Sequence, residues 1–393
     1  MQGRRVAITG IGVVAPCGDG VESFWDGLHV APPQGDERHV EDWDPASLFA
    51  NPKEARRADR FAQFALGAAK EALEQAGDIG LDPQRIGVWI GTGIGGIETN
   101  EKEIVTQHVK GSRRVSPFLV PMMMPNAAPA AVSMKYGFQG PCENTVTACA
   151  AGTHSLGRAA DLIRYGRVDA MVAGGAEAPM TPTALAGFRN MTAMSNSGVS
   201  MPFDEKRDGF VIAEGAGVLV LEEWEHATQR GATILAEFLG SASTADAHHI
   251  TAPSPGGVGA IQCIRLALAD AGLDASDITY VNAHGTSTSL NDAAEAAAVA
   301  EVFGTAPGPA MNSIKGVTGH SFGAAGAIEA VSIVLSMQKR SIPPTLGVTT
   351  LDPSMPAVDF ILGEARDWEP APTMSNSFGF GGHNGSLILA PPS

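Results

Sequence analysis

Short apolar runs bounded by glycines alternate with longer segments of helical period along the whole chain. Residues 85–90 and 170–173 are too short for helices and read as buried strands. Residues 61–76 and 260–271 carry apolar positions at helical spacing among good helix formers, and read as helices. Strands and helices interleaved in this way argue for an α/β fold.

The pattern recurs. A helix-like run at 72–77 leads into a strand and then Gly91-Thr92; a similar run at 267–272 leads into a strand and then His284-Gly285-Thr286. Further on, Asp208-Gly209-Phe210 runs through glycines into Val218-Leu219-Val220-Leu221, and Ser377-Phe378-Gly379-Phe380 runs through glycines into Ser386-Leu387-Ile388-Leu389. Two matched features in one order predict a duplicated fold with a seam near residues 230–237, so the chain divides into halves 1–234 and 235–393. A length of 393 residues also exceeds what one core usually supports.

Only 17% of residues are charged while 44% are hydrophobic, which predicts that an interface hides surface as well as the core does. The simplest assembly is a two-fold homodimer. A net charge of −16 argues against nucleic acid as a partner. Local clusters at Lys53, Arg56, Arg57 and Arg60, at Arg113 and Arg114, and at Lys206 and Arg207 can still meet an acidic partner, or can be scattered solvated charge. No apolar run approaches the ~20 residues of a membrane span. The start of the chain does not resemble a signal peptide. Cys17, Cys142, Cys149 and Cys263 have neither disulfide-framework nor zinc spacing, which predicts free thiols in a reducing cytoplasm.

The candidate chemistry begins at Cys149, in a small-residue turn that opens a helix. The positive end of that helix favours thiolate, and nearby backbone N–H groups can form an oxyanion hole. The alternative is a buried, inert cysteine. His284 ends a strand and enters a polar loop; His320 follows Thr318-Gly319 in a glycine-rich turn. Each is either a functional imidazole or a histidine capping its turn. Lys315, five residues before His320, would keep that ring neutral, and Glu329 on the following helix could pair with it. Lys315 and Glu329 could equally be a solvated surface pair. The segment Gly10-Ile11-Gly12-Val13-Val14-Ala15 matches a dinucleotide motif, but Pro16 interrupts the helix that motif requires. Asp246, His248 and His249 lack a companion ligand, so no metal is expected.

Taken together, Thr147-Ala148-Cys149, the His284-Gly285-Thr286-Ser287-Thr288 run, Lys315 with Thr318-Gly319-His320, and Asn376 through Gly382 closely resemble the β-ketoacyl-acyl-carrier-protein synthases of the elongating (synthase II) type. The likeness runs nearly end to end. It implies the thiolase-like fold, two similar halves stacked as five layers, αβαβα, in a homodimer. It also implies the reaction: Cys149 holds an acyl chain as a thioester, malonyl-acyl carrier protein loses CO2, and the resulting carbanion attacks the thioester. The product is a 3-oxoacyl chain two carbons longer. No cofactor beyond the carrier's phosphopantetheine is implied.

The resemblance further implies roles. His284 and His320 would stabilise the enolate, with Lys315 and Glu329 setting charge around His320. The N–H groups of Cys149 and Phe380 would form the oxyanion hole, and Phe380 would gate the pocket. Ile94 and Phe378 would meet the acyl chain, and Thr286 and Thr288 the phosphopantetheine arm. Lys53, Arg56, Arg57, Arg113, Arg114 and Arg207 match positions that face the acidic carrier. On this reading, alanine at either histidine spares loading of Cys149 and removes decarboxylation. A thiolase would carry a second cysteine near residues 379–385, and none is there. A non-catalytic chain-length factor would lack the nucleophile. Fatty-acid elongation and a type II polyketide or polyene pathway share this machinery. His383, where the family usually has threonine, and the methionines at 122–124 bear on chain-length preference.

Overall fold

The computed structural model describes residues 3–305 and 308–393. The strands along the path of its large sheet are β1 (Val6–Ala15), β2 (Ile86–Gly91), β3 (Cys142–Glu143), β4 (Ala170–Glu177), β5 (Gly215–Glu223), β6 (Ala236–Ala245), β7 (Tyr280–Asn282), β8 (Ala310–Asn312), β9 (Asp359–Phe360), β10 (Thr373–Gly379) and β11 (His383–Ala390). They lie in the order β9-β8-β7-β10-β11-β6-β1-β5-β4-β2-β3.

That order is a duplication. In the first half β3 and β4 flank β2 in parallel, and β4, β5 and β1 follow antiparallel. In the second half β8 and β10 flank β7 in parallel, and β10, β11 and β6 follow antiparallel. The halves join where Ala7 and Ile8 of β1 pair with Glu237 and Ala236 of β6. The strands expected at 85–90 and 170–173 are β2 and β4; β4 runs four residues further, to Glu177.

Six helices carry the packing: α1 (Arg60–Ala76), α2 (Ala127–Tyr136), α3 (Ala151–Arg164), α4 (Val258–Ala271), α5 (Ser289–Phe303) and α6 (Ala325–Lys339). The expected helices at 61–76 and 260–271 are α1 and α4. Helices α1 and α2 cover one half, and α4 and α5 the other. Between the halves run α3 and α6, each packed on strands of both. Every residue of α6 from Ala325 to Met337 is buried. A helix apolar on all sides belongs in the middle of a protein, so the layering is αβαβα.

Small residues bring the N-terminal ends of the two central helices together. A Cβ at Gly152 would stand 2.9 Å from the Ala327 amide nitrogen and from the Gly323 carbonyl oxygen. This contact sets the turns before α3 and α6, which hold Cys149 and His320, side by side.

Candidate active site

Cys149 sits in the turn entering α3, with Ala148 before it in a left-handed conformation, φ 49°. Strain of this kind at a non-glycine residue is held by the surrounding structure. His284 follows β7. Its own N–H and that of Gly285 each donate to the Glu295 carboxylate at 2.8 Å. His320 lies in the turn before α6, where its ring stacks on Phe322 with centroids 4.8 Å apart.

The fold brings all three to one place. Nitrogens of both rings and the Cys149 Sγ lie within 4.8 Å of one another. His320 Nε2 is 3.0 Å from the sulfur. The backbone N–H groups of Phe380 and Cys149 lie near enough to the sulfur to favour its thiolate. The trio opens on a cavity of about 280 Å³ that is also lined by Thr286, Thr288, Phe378 and Phe380. Its apolar side joins Leu185, Met194, Phe210 and Phe322, with Phe188 and Met180 behind.

Electrostatics correct one expectation. The thiol of Cys149 is pushed up to about 12, chiefly by burial; the Phe380 N–H and the Lys315 charge oppose this without overcoming it. Cys149 therefore rests as a thiol, and the end of α3 does not by itself make it a thiolate. Both rings are held well below the ordinary histidine range, first by burial and then by the Lys315 charge. They are neutral at physiological pH.

Lys315 pairs with Glu329 and acts on His320 as expected, but its direct ring contact is with His284. Its ammonium is paired with Glu329 inside the protein, and its Nζ lies 3.4 Å from Nδ1 of His284, not against His320. Lysine only donates, so Nδ1 of His284 is the acceptor and the ring's proton is on Nε2. The solvated surface pair is ruled out: Lys315 and Glu329 are each 1% exposed.

The description "Beta-ketoacyl synthase, N-terminal domain" matches residues 30–227, and "Beta-ketoacyl synthase, C-terminal domain" matches residues 235–349. The chain belongs to the β-ketoacyl synthase family. It is 44% identical over 408 aligned residues to a 3-oxoacyl-[acyl-carrier-protein] synthase 2 of Staphylococcus aureus (strain COL), covering 99% of this chain and 98% of that one. A protein of the same name from Synechocystis is 41% identical, with 99% and 98% covered. Among solved structures, a β-ketoacyl synthase from Burkholderia phymatum is 35% identical, with 99% and 100% covered and a TM-score of 0.91. A type II PKS ketosynthase bound to a hexaketide, in complex with its acyl-carrier protein, is 34% identical, with 100% of both chains covered and a TM-score of 0.91. The chain is an acyltransferase of the condensing type with the thiolase-like fold.

Other residues expected from the family resemblance divide into two groups. Thr286 and Thr288 meet at the cavity wall, with their hydroxyl oxygens 2.9 Å apart. Phe378 lines the cavity, its ring 6.0 Å from that of His284. Ile94 does not line it. Its loop is gathered behind Phe322 by Glu177, which accepts from Thr92, Gly93, Ile94 and Gly323. His383 begins β11 outside the cavity lining, with its ring against Gly381.

Lys53, Arg56 and Arg57 are exposed, as are Arg113 and Arg114. The Arg57 guanidinium lies 4.3 Å from the centroid of the Phe118 ring, which joins the two segments into one surface. Arg60 is engaged by Glu214. Arg207 is a correction: it is buried, pairs with Asp352 at 2.7 Å, and donates to the Thr288 and Ser289 carbonyl oxygens. It shapes the cavity rim and offers no charge to a docking partner.

Glu177 and Glu295 went unrecognised in the sequence. Glu177 ends an otherwise apolar strand, and Glu295 stands alone among alanines of α5. A lone carboxylate in an otherwise apolar or alanine-rich run is the signal that marks both.

Proposed function

We propose that this enzyme elongates acyl chains carried on acyl carrier protein, joining each to a malonyl unit with loss of CO2. The observation that carries this reading is the single cavity holding the Cys149 thiol, two neutral imidazoles and two backbone N–H donors.

In loading, the Cys149 sulfur attacks the acyl thioester carbonyl. The new oxyanion is held by the Cys149 and Phe380 N–H groups. The thiol proton passes to His320 Nε2, 3.0 Å away. It is then given to the departing phosphopantetheine thiolate, and His320 is neutral again.

In condensation, the malonyl carboxylate leaves as CO2 and its electron pair becomes an enolate. The Nε2–H of His284 stabilises the enolate oxygen, joined by His320 in the tautomer that carries its proton on Nε2, the nitrogen that faces the cavity. The enolate carbon attacks the Cys149 thioester, the carbon–sulfur bond breaks, and the released thiolate takes up one proton. The chemistry needs a nucleophile and hydrogen-bond donors, all present here, so no metal or cofactor is invoked beyond the carrier's phosphopantetheine.

The surface formed by Lys53, Arg56, Arg57, Arg113 and Arg114 is the proposed docking face for the acidic carrier. The protein is proposed to be a homodimer. Strand β3 is an exposed sheet edge, and Val120, Met134 and Val146 present large apolar side chains to solvent near it. Its proposed halves, 1–234 and 235–393, meet at the start of β6. A cytoplasmic site fits four cysteines that are all free.

Mass spectrometry after incubation with acyl-carrier proteins of several chain lengths tests the reading. An acyl adduct on Cys149 is expected, and no adduct in Cys149→Ala. A protein that gains no acyl mass from any carrier is not a condensing enzyme of this kind.

A further inference from the structure

His154 is buried on the first turns of α3. Its Nδ1 lies 2.8 Å from the Thr147 hydroxyl, two residues before the nucleophile. Its Nε2 lies 3.0 Å from the Asn384 carbonyl oxygen, in the second leg of the hairpin that carries Phe380. Gly385 is pressed against the same ring, where a Cβ would come 3.0 Å from Nε2. Beside it, Thr153 Oγ1 and Ser377 Oγ meet at 2.8 Å.

These contacts fix the ring's tautomer. A carbonyl oxygen only accepts, so Nε2 carries the proton. Burial holds His154 below the ordinary histidine range, so the ring is neutral and Nδ1 is bare. The Thr147 hydroxyl therefore donates to Nδ1. One imidazole ties the turn bearing Cys149 to the hairpin bearing Phe380.

The two oxyanion donors come from those two segments. The hairpin tip is glycine-rich, with Gly381 and Gly382 at φ 81° and 72°, so the position of the Phe380 N–H depends on how its legs are held. We infer that His154 is a positioning residue that sets the spacing of the two oxyanion-hole N–H groups by bridging Thr147 and Asn384. The inference rests on the loading reaction proposed above. It assigns His154 to acyl transfer and not to decarboxylation, since neither of its bonds reaches His284 or His320.

The test compares two partial reactions of the purified full chain. Loading is the rate of Cys149 mass gain from octanoyl-acyl carrier protein. Decarboxylation is CO2 release from malonyl-acyl carrier protein without an acyl donor. His154→Ala is expected to slow loading about tenfold or more, since small misplacements at a reacting centre are costly, while CO2 release changes less than about twofold. Thr147→Val, which keeps the shape and removes the donor, slows loading in the same direction. His154→Gln, which can still donate to the Asn384 carbonyl, recovers most of the rate. Loading at the wild-type rate in both His154→Ala and Thr147→Val overturns the inference, as does a parallel loss of both reactions in Thr147→Val. If the unaltered protein takes up no octanoyl group, the functional reading itself fails, which is a different result.

Discussion

Lys315 stands between Glu329, with which its ammonium pairs, and Nδ1 of His284, 3.4 Å away. The pair is buried, so its charge acts at low screening on both catalytic rings. That cation lowers the pKa of His284 and of His320 and leaves each ring free of a proton it would otherwise hold.

Replacing Lys315 by Met removes the positive charge and strands the Glu329 carboxylate. Both rings then protonate at higher pH than before. His320 must be neutral to accept the Cys149 proton, so the acid limb of the loading rate is expected to move to higher pH. Unfolding free energy falls by about 3–5 kcal/mol, the usual cost of an uncompensated buried charge. Lys315→Met with Glu329→Leu regains much of that stability without restoring the pH profile. A pH–rate series and a urea titration measure both; an acid limb that does not move removes Lys315 from this role.

The two histidines are expected to separate. The sequence alone treats them as equivalent, with loading spared in either alanine variant. The geometry does not, because only His320 is hydrogen-bonded to the sulfur, at 3.0 Å, and the resting thiol must lose a proton. His284→Ala is expected to load Cys149 normally and to lose decarboxylation by about 10²–10³-fold, the scale for one oxyanion donor. His320→Ala is expected to be slow in both. Adduct formation and CO2 release, timed separately, decide it; equal loading by the two variants would remove His320 as the proton acceptor.

That Cys149, His284 and His320 belong together was legible because each sits in a turn of small residues, and such turns advertise themselves in sequence. The duplication was legible from two repeated phrases, and the matched strand order bears it out. Charge was harder to read. Arg207 looked like surface because its neighbour Lys206 is, yet it folds inward to Asp352, which lies 145 residues away in sequence. The state of Cys149 was also out of reach. Helix position is visible in the chain, whereas desolvation depends on distant segments such as Phe380 and Phe322 closing over the sulfur.

Glu295 links the site to pH-dependent stability. Burial raises its pKa to about 8, and burial likewise raises Glu177 and Glu329 to about 7. Their ordinary value is 4.5, so above that pH the folded protein keeps protons that the unfolded chain has lost. The folded state then binds more protons, and stability falls as pH rises from about 4.5 through 8. Glu295→Gln is expected to flatten that fall in the melting temperature. It also costs about 1–3 kcal/mol, because an amide N–H now faces the N–H of His284 or Gly285. Thermal melts across pH 5 to 9 measure both; an unchanged slope would show that Glu295 does not contribute.

Gly379 is expected to accept a side chain only with a shift of its neighbours by a few tenths of an ångström. A Cβ there would stand 3.0 Å from the Cys149 amide nitrogen and 3.0 Å from the Thr147 carbonyl oxygen. Both are backbone atoms and cannot turn aside, so either the hairpin or the nucleophile turn must shift. Gly379→Ala should slow loading by about 10²-fold through a displaced oxyanion hole. Gly187, with open space at its Cβ position, provides the control. Loading rates that match between Gly379→Ala and Gly187→Ala would place the oxyanion donors elsewhere.

Charge on the proposed docking face should act on encounter and not on chemistry. Arg56 and Arg57 are exposed, and an acidic carrier meets them through water. Arg56→Glu with Arg57→Glu is expected to raise the KM for carrier-bound substrates about tenfold, as complementary charge mainly speeds association. The kcat should hold, and so should turnover of small pantetheine thioesters, which need no docking face. Salt supplies a second check. Loading of the unaltered protein from acyl carrier should weaken with ionic strength as the Debye length shrinks, and the charge-reversed variant should lose that slope. Arg207→Ala should behave otherwise, because Arg207 holds the Thr288 and Ser289 carbonyls at the cavity rim. It should impair carrier-bound and small substrates alike. If charge reversal at Arg56 and Arg57 impaired the small thioesters equally, those residues would belong to the site's architecture and the carrier would dock on another face.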